Sequence, residues 1–166
     1  MRKKEIMKEK VYIDSTIPSY YFDERDSLVI FTDITKKWWR EMSESYDLYI
    51  SDAVLQELNS GNYPRKDKII QFVSSIPLLP SVNDLETIVE CYIDNYVMPK
   101  SLIGDALHLA YASYFGIDYL GRVPKKSDYP SISALPEKAN IFNIPHLPDL
   151  KYDLNISISS AVSFSQ

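Results

Sequence analysis

With 166 residues, 45% of them apolar and 25% charged, the chain is long enough to bury one core without disulfides, and its balance argues against a disordered or membrane-embedded protein. Cys91 is the single cysteine, so an intrachain disulfide and a cysteine-built zinc cluster are both excluded. The net charge of -5 speaks against broad electrostatic binding of nucleic acid, but it leaves room for a nuclease whose carboxylates gather divalent cations and so create local positive charge.

Arg2, Lys3, Lys4, Lys8 and Lys10 make the first ten residues basic and read as a solvated tail. Val11-Tyr12-Ile13 is a β-branched and aromatic run ending at Asp14, the pattern of a buried strand entering a turn. Ile34, Trp38 and Met42 recur at four-residue spacing and predict an amphipathic helix over 34–44. A second strand, Leu48-Tyr49-Ile50, leads into Ser51-Asp52, which offers an N-cap for a helix through Ala53, Val54, Glu57 and Leu58 that stops near Gly61. A short helix is expected around Ile69, Ile70 and Val73, and the proline-bounded run Ile76-Pro77-Leu78-Leu79-Pro80 reads as an edge strand. Over 84–97, Leu85, Ile88, Val89, Tyr92, Ile93, Tyr96 and Val97 form one apolar stripe, with Asn83 and Glu86 at capping-box spacing and Met98-Pro99 as the stop. Gly104-Asp105 then opens a helix through Ala106, Leu107, Leu109, Ala110 and Ala112 that closes at Gly116, and Ile117-Asp118-Tyr119-Leu120 is a fourth strand.

Strands separated by helices predict an α/β fold, three layers α/β/α with a mainly parallel central sheet, because parallel neighbours need crossover connections and those are usually helical. Ligands of such sheets collect beyond the carboxyl ends of the strands. After Leu120 the character changes: residues 121–166 carry five of the ten prolines and a serine-rich end. The expected organisation is a core domain over 1–120 and an atypical segment over 121–166, mostly loop with a weak strand at Asn155 to Ile158, packed loosely and adding little to the core. No apolar run is long enough to span a bilayer, and Met1-Arg2-Lys3-Lys4-Glu5 lacks the apolar stretch of a signal peptide, so the cytoplasm is the expected location.

Three carboxylates stand near junctions where such a fold places its chemistry. Asp14 follows the first strand directly, Glu57 lies on the helix after the second strand, and Asp105 lies in a first helical turn just after Gly104. Each has a bland reading beside the functional one: a turn residue for Asp14, a solvated surface charge for Glu57, a helix-terminal charge for Asp105. Together they would repel one another unless a cation neutralised them, and oxygen-only ligation favours magnesium or manganese over zinc. His108, inside the run Ala106 to Ala110 and three residues past Asp105, reads as structural rather than as a general base. Tyr20, Tyr21, Trp38 and Trp39 read as core aromatics rather than base-stacking platforms.

These segments resemble a known family. Val11-Tyr12-Ile13-Asp14-Ser15-Thr16-Ile17-Pro18-Ser19-Tyr20-Tyr21, then Ile50-Ser51-Asp52-Ala53-Val54-Leu55-Gln56-Glu57-Leu58, then Gly104-Asp105-Ala106-Leu107-His108-Leu109-Ala110, are similar in order and approximate spacing to the PIN-domain pattern of toxin-type ribonucleases. The resemblance covers about 120 residues, including Met98-Pro99 ahead of Gly104-Asp105. It implies that Asp14, Glu57 and Asp105 are catalytic and hold Mg2+ or Mn2+, and that the protein is an endoribonuclease cleaving RNA by metal-activated water. It further implies a toxin partnered by an antitoxin protein, in the form of a homodimer, with no membrane association.

The pattern breaks after the fourth strand. Proteins of this kind continue with a further Asp or Asn, often beside Trp, whereas Gly121-Arg122-Val123-Pro124 offers no acidic or amide side chain; Asp128 is the nearest replacement. The loss suggests that residues 121–166 diverged or were read in a shifted frame, and it motivates an alternative, a catalytically inactive PIN-like binding module with an incomplete metal site. A third class, phosphotransfer through Asp14 as nucleophile, is disfavoured because Thr16 stands where a haloacid-dehalogenase-like enzyme would carry its second aspartate.

Overall fold

The protein is described here by a computed structural model covering residues 7–96 and 103–123. Four strands form it: β1 (Lys10–Ile13), β2 (Asp47–Ser51), β3 (Leu78–Leu79) and β4 (Tyr119–Gly121). They lie in one sheet of order β3-β2-β1-β4, with every pairing parallel. Val11 stands opposite Leu48 on one side and Tyr119 on the other, which makes β1 an inner strand, and its Val11, Tyr12 and Ile13 are all fully buried. A strand buried on both faces reads as a continuous apolar run rather than an alternating one, as this one does. The edge position expected for the proline-bounded segment holds: Ile50 pairs with Leu78, and Leu78 is exposed while Leu79 is buried.

The connections are helical: α1 (Thr16–Tyr21) and α2 (Val29–Met42) between β1 and β2, α3 (Asp52–Asn59) and α4 (Lys66–Val73) between β2 and β3, and α5 (Asp84–Asp94) and α6 (Ile103–Tyr114) between β3 and β4. The first two crossovers step outward from β1 and the third returns past it. Since parallel crossovers are right-handed, the reversal puts α1 to α4 on one face and α5 and α6 on the other, giving the three α/β/α layers. Helix contacts agree with this partition, α1 packing on α2 and α4, and α5 on α6.

Each helix buries the residues its period brings to one side. α4 buries Ile69 and Val73, α5 buries Leu85, Val89 and Tyr92, and α6 presents the small Ala106 and Ala110, both fully buried, which lets it lie close against the sheet. α3 starts where its cap residue predicts, with Ser51 Oγ accepting from Val54 N at 3.4 Å, and ends before Gly61, whose φ of +78° no other residue adopts cheaply. Of the aromatics expected in the core, Trp38 is buried there, Tyr20 and Trp39 are partly buried against it, and Tyr21 stacks on Phe72 at an intermediate exposure.

Four expectations are corrected in detail. The helix expected over 34–44 runs over Val29–Met42 and buries Thr32, Thr35 and Trp38, leaving Met42 exposed; the buried face is three residues apart and partly hydroxylic, so it hides behind polar letters. Asn83 takes helical backbone angles and makes no side-chain cap bond, so the capping box is not formed. The stripe ends before Tyr96, which turns to a φ of +60° and is 94% exposed, while Val97 and Met98-Pro99 lie outside the described residues. The fourth strand includes Gly121, and Val123 is 1% exposed within the core, so the packed region runs past Leu120; the remainder of 121–166, with Asp128 and the strand expected at Asn155 to Ile158, lies outside the described residues. Among the described residues no helix is long and apolar enough to cross a membrane.

Candidate acidic site

The sheet order sets the place. β1 is left by a connection running toward β2, whereas the chain reaches β4 on its opposite side, so the crevice beyond the carboxyl ends of β1 and β4 is the topological switch point of the sheet. Asp14 stands immediately after β1 and Arg122 immediately after β4, and α6, whose first turn carries Asp105, begins at the same edge. The two strand ends are stitched together there: Asp14 N donates to Gly121 O at 3.0 Å, and Val123 N donates to Thr16 Oγ1 at 2.8 Å.

Asp14 is 4% exposed. Its Oδ1 accepts from Thr16 N at 2.6 Å and from the Thr16 hydroxyl, an Asx-type turn that fixes the carboxyl plane. Its Oδ2 faces Arg122 Nε at 4.0 Å. Burial pushes the Asp14 carboxyl up from the ordinary carboxylate value, against the Thr16 hydrogen bonds, His108 and Arg122, which all pull it down. Asp105, about one-fifth exposed, turns its Oδ2 to the same guanidinium, 3.7 Å from Nη2. The structure therefore brings Asp14 and Asp105 together around one cation, Arg122.

Glu57 belongs to a neighbouring network. Ser15 Oγ donates to its Oε2 at 2.5 Å and His108 Nε2 lies 3.1 Å from its Oε1. Behind the ring, Tyr12 Oη lies 2.8 Å from His108 Nδ1 and 2.6 Å from Ser51 Oγ. A carboxylate only accepts, so the His108 ring donates from Nε2 to Glu57. Ser51 Oγ also accepts from Val54 N at 3.4 Å. Burial pushes the Tyr12 phenol far up, so it stays a hydroxyl. The chain of bonds ties β1, β2, α3 and α6 together under the acidic site and holds Glu57 beside Gly104, where an added Cβ would sit 3.5 Å from Oε1.

Of the three carboxylates expected to share one centre, Asp14 and Asp105 thus converge, and Glu57 stands at the rim with its own partners. Among the described residues no group of three or more His, Cys, Asp or Glu side chains is arranged to hold a metal ion. Two hard oxygen donors facing one positive group are fewer than such a cluster, and would serve a small divalent cation only as a partial ligand set that water completes. Three side chains at the site carry no direct signal in the sequence: Arg122, which cannot ligate a metal, and Tyr12 and Ser51, which belong to strands or their ends. A buried tyrosine in a strand needs a partner for its hydroxyl, and His108 stands three residues from Asp105, hence on the same helical face; those were the available signals.

No family model and no curated protein matches the chain.

Proposed function

We propose that the protein is a ribonuclease of PIN type, cleaving RNA phosphodiester bonds with Mg2+ or Mn2+ held by Asp14 and Asp105. The observation that carries this reading is the convergence of those two carboxylates at the switch point of a parallel sheet, which is where an α/β fold of this kind collects its ligand. A divalent cation bound there supplies Lewis acidity and an activated water. The chain's own residues do the positioning. Thr16 fixes the plane of the Asp14 carboxyl, the β1 and β4 stitches fix its height, and the buried Tyr12-His108 pair orients Glu57 at the rim.

The partners that go with this reading are an antitoxin protein and a second copy of the chain, and they rest on the sequence resemblance alone. The lone cysteine supports a reducing cytoplasm as the place of action. The test is cleavage of a single-stranded RNA by the purified full chain: activity should require Mn2+ or Mg2+ and stop on chelation, and cleavage indifferent to chelator would contradict the metal site.

A second reading, an inactive PIN-like binding module, draws support from Arg122, which partly neutralises the acidic pair without any metal. It is distinguished by a folded chain that leaves RNA intact at millimolar Mn2+.

A further inference from the structure

Among the described residues, Arg122 is the charged side chain of the crevice that the proposed chemistry does not use. Its backbone is not free to drift. Gly121 before it accepts from Asp14 N, Val123 after it donates to Thr16 Oγ1, and Val123 itself is buried. Three consecutive residues are therefore strapped to the turn that carries Asp14, and the guanidinium they present is itself only about one-quarter exposed. Its Nε and Nη2 lie 4.0 Å and 3.7 Å from the facing oxygens of Asp14 and Asp105. Both separations exceed hydrogen-bond length, so the guanidinium is held by charge alone, without the bidentate fit that makes an arginine-carboxylate pair strong.

We propose that Arg122 is a built-in counter-ion for Asp14 and Asp105, so that a divalent cation binds this pair only by displacing the guanidinium. This rests on the reading of Asp14 and Asp105 as the cation-holding pair. Two carboxylates and one guanidinium leave the crevice one negative charge, enough to keep the acidic pair folded without metal. A divalent cation brings twice the charge of arginine to the same oxygens, and releasing Arg122 breaks no hydrogen bond to them. The arginine therefore weakens cation binding without forbidding it. It also makes metal-free stability and metal affinity respond oppositely to its removal.

The experiment is calorimetric titration of the full chain with Mn2+, together with thermal unfolding in chelator, for wild type, Arg122→Met and Arg122→Gln. Two neutral replacements guard against one that fails to fold, which circular dichroism reveals. Both variants should bind Mn2+ at least tenfold more tightly than wild type and unfold at a lower temperature in chelator, and Asp14→Asn added to either should abolish the binding. Equal Mn2+ affinity in wild type and both Arg122 variants, lost on Asp14→Asn, would overturn the counter-ion role while leaving the carboxylate pair as the cation site. Absence of Mn2+ binding in all three proteins, or binding that survives Asp14→Asn, would overturn both.

Discussion

Asp14 combines near-complete burial with a fixed carboxyl plane, and its electrostatics have a measurable sign. Because burial raises its folded pKa above the ordinary carboxylate value, the folded state keeps the proton to higher pH than the unfolded chain. Its contribution therefore favours folding fully only below the unfolded value and is lost as pH rises through the raised folded value. Asp14→Asn should then raise the metal-free melting temperature at pH 7, by about 2–4 °C for each 1 kcal/mol in a chain of this length, and the gain should shrink near pH 4. A destabilised Asp14→Asn protein at pH 7, or a gain independent of pH, would count against the raised pKa. Thr32 offers a second residue test. Its hydroxyl is buried with no hydrogen-bond partner among the described residues, whereas Thr35 next along the same face returns its proton to Phe31 O at 2.7 Å. Thr32→Val should stabilise by about 1 kcal/mol in urea unfolding, since it removes an unpaired polar group at constant shape, and a loss of stability would show that the hydroxyl is satisfied. At this level the sequence announced the acidic residues, because carboxylates at strand and helix ends are visible as letters in order. It did not announce Arg122, because a long side chain joins partners more than a hundred positions away in one case, and no spacing records that.

At the level of elements, strands and helices were legible wherever burial is apolar and periodic. β1, α4, α5 and the edge strand β3 follow directly from Val11-Tyr12-Ile13, Ile69 with Val73, Leu85 with Val89, and the flanking Pro77 and Pro80. α2 begins before the apolar repeat of Ile34, Trp38 and Met42 because Thr32 and Thr35 bury a hydroxylic face, which a count of apolar letters cannot find. Asn83 does not cap, because an amide at cap spacing loses that role once its own backbone is helical. The join between elements that matters most is Tyr12, whose hydroxyl links Ser51 on β2 to His108 on α6. Tyr12→Phe keeps the ring stacked on Tyr111 but leaves Ser51 and His108 Nδ1 short of a partner in a buried site. It should cost about 1–3 kcal/mol of stability by urea unfolding, and a cost below about 0.5 kcal/mol would mean the network is replaceable by water.

For the molecule as a whole, three layers around a parallel sheet were expected from strands alternating with helices, and the strand order then locates the crevice without reference to any side chain. The packed region extends past Leu120 to Val123, because strand β4 needs Gly121 to pair with Ile13, and Val123 fills core space beyond it. Val123→Ala should therefore cost about 2 kcal/mol, the loss of two buried methyl groups plus a residual cavity, and a cost near zero would show that these residues only decorate the fold. The reading of the whole rests on Asp14 and Asp105 acting together on RNA. The deciding measurement is Mn2+-dependent cleavage of a single-stranded RNA by the full chain beside its Asp14→Asn and Asp105→Asn variants, each verified as folded. Cleavage by wild type that both substitutions abolish is the expected result, and cleavage that persists in either variant would contradict the assignment of the site.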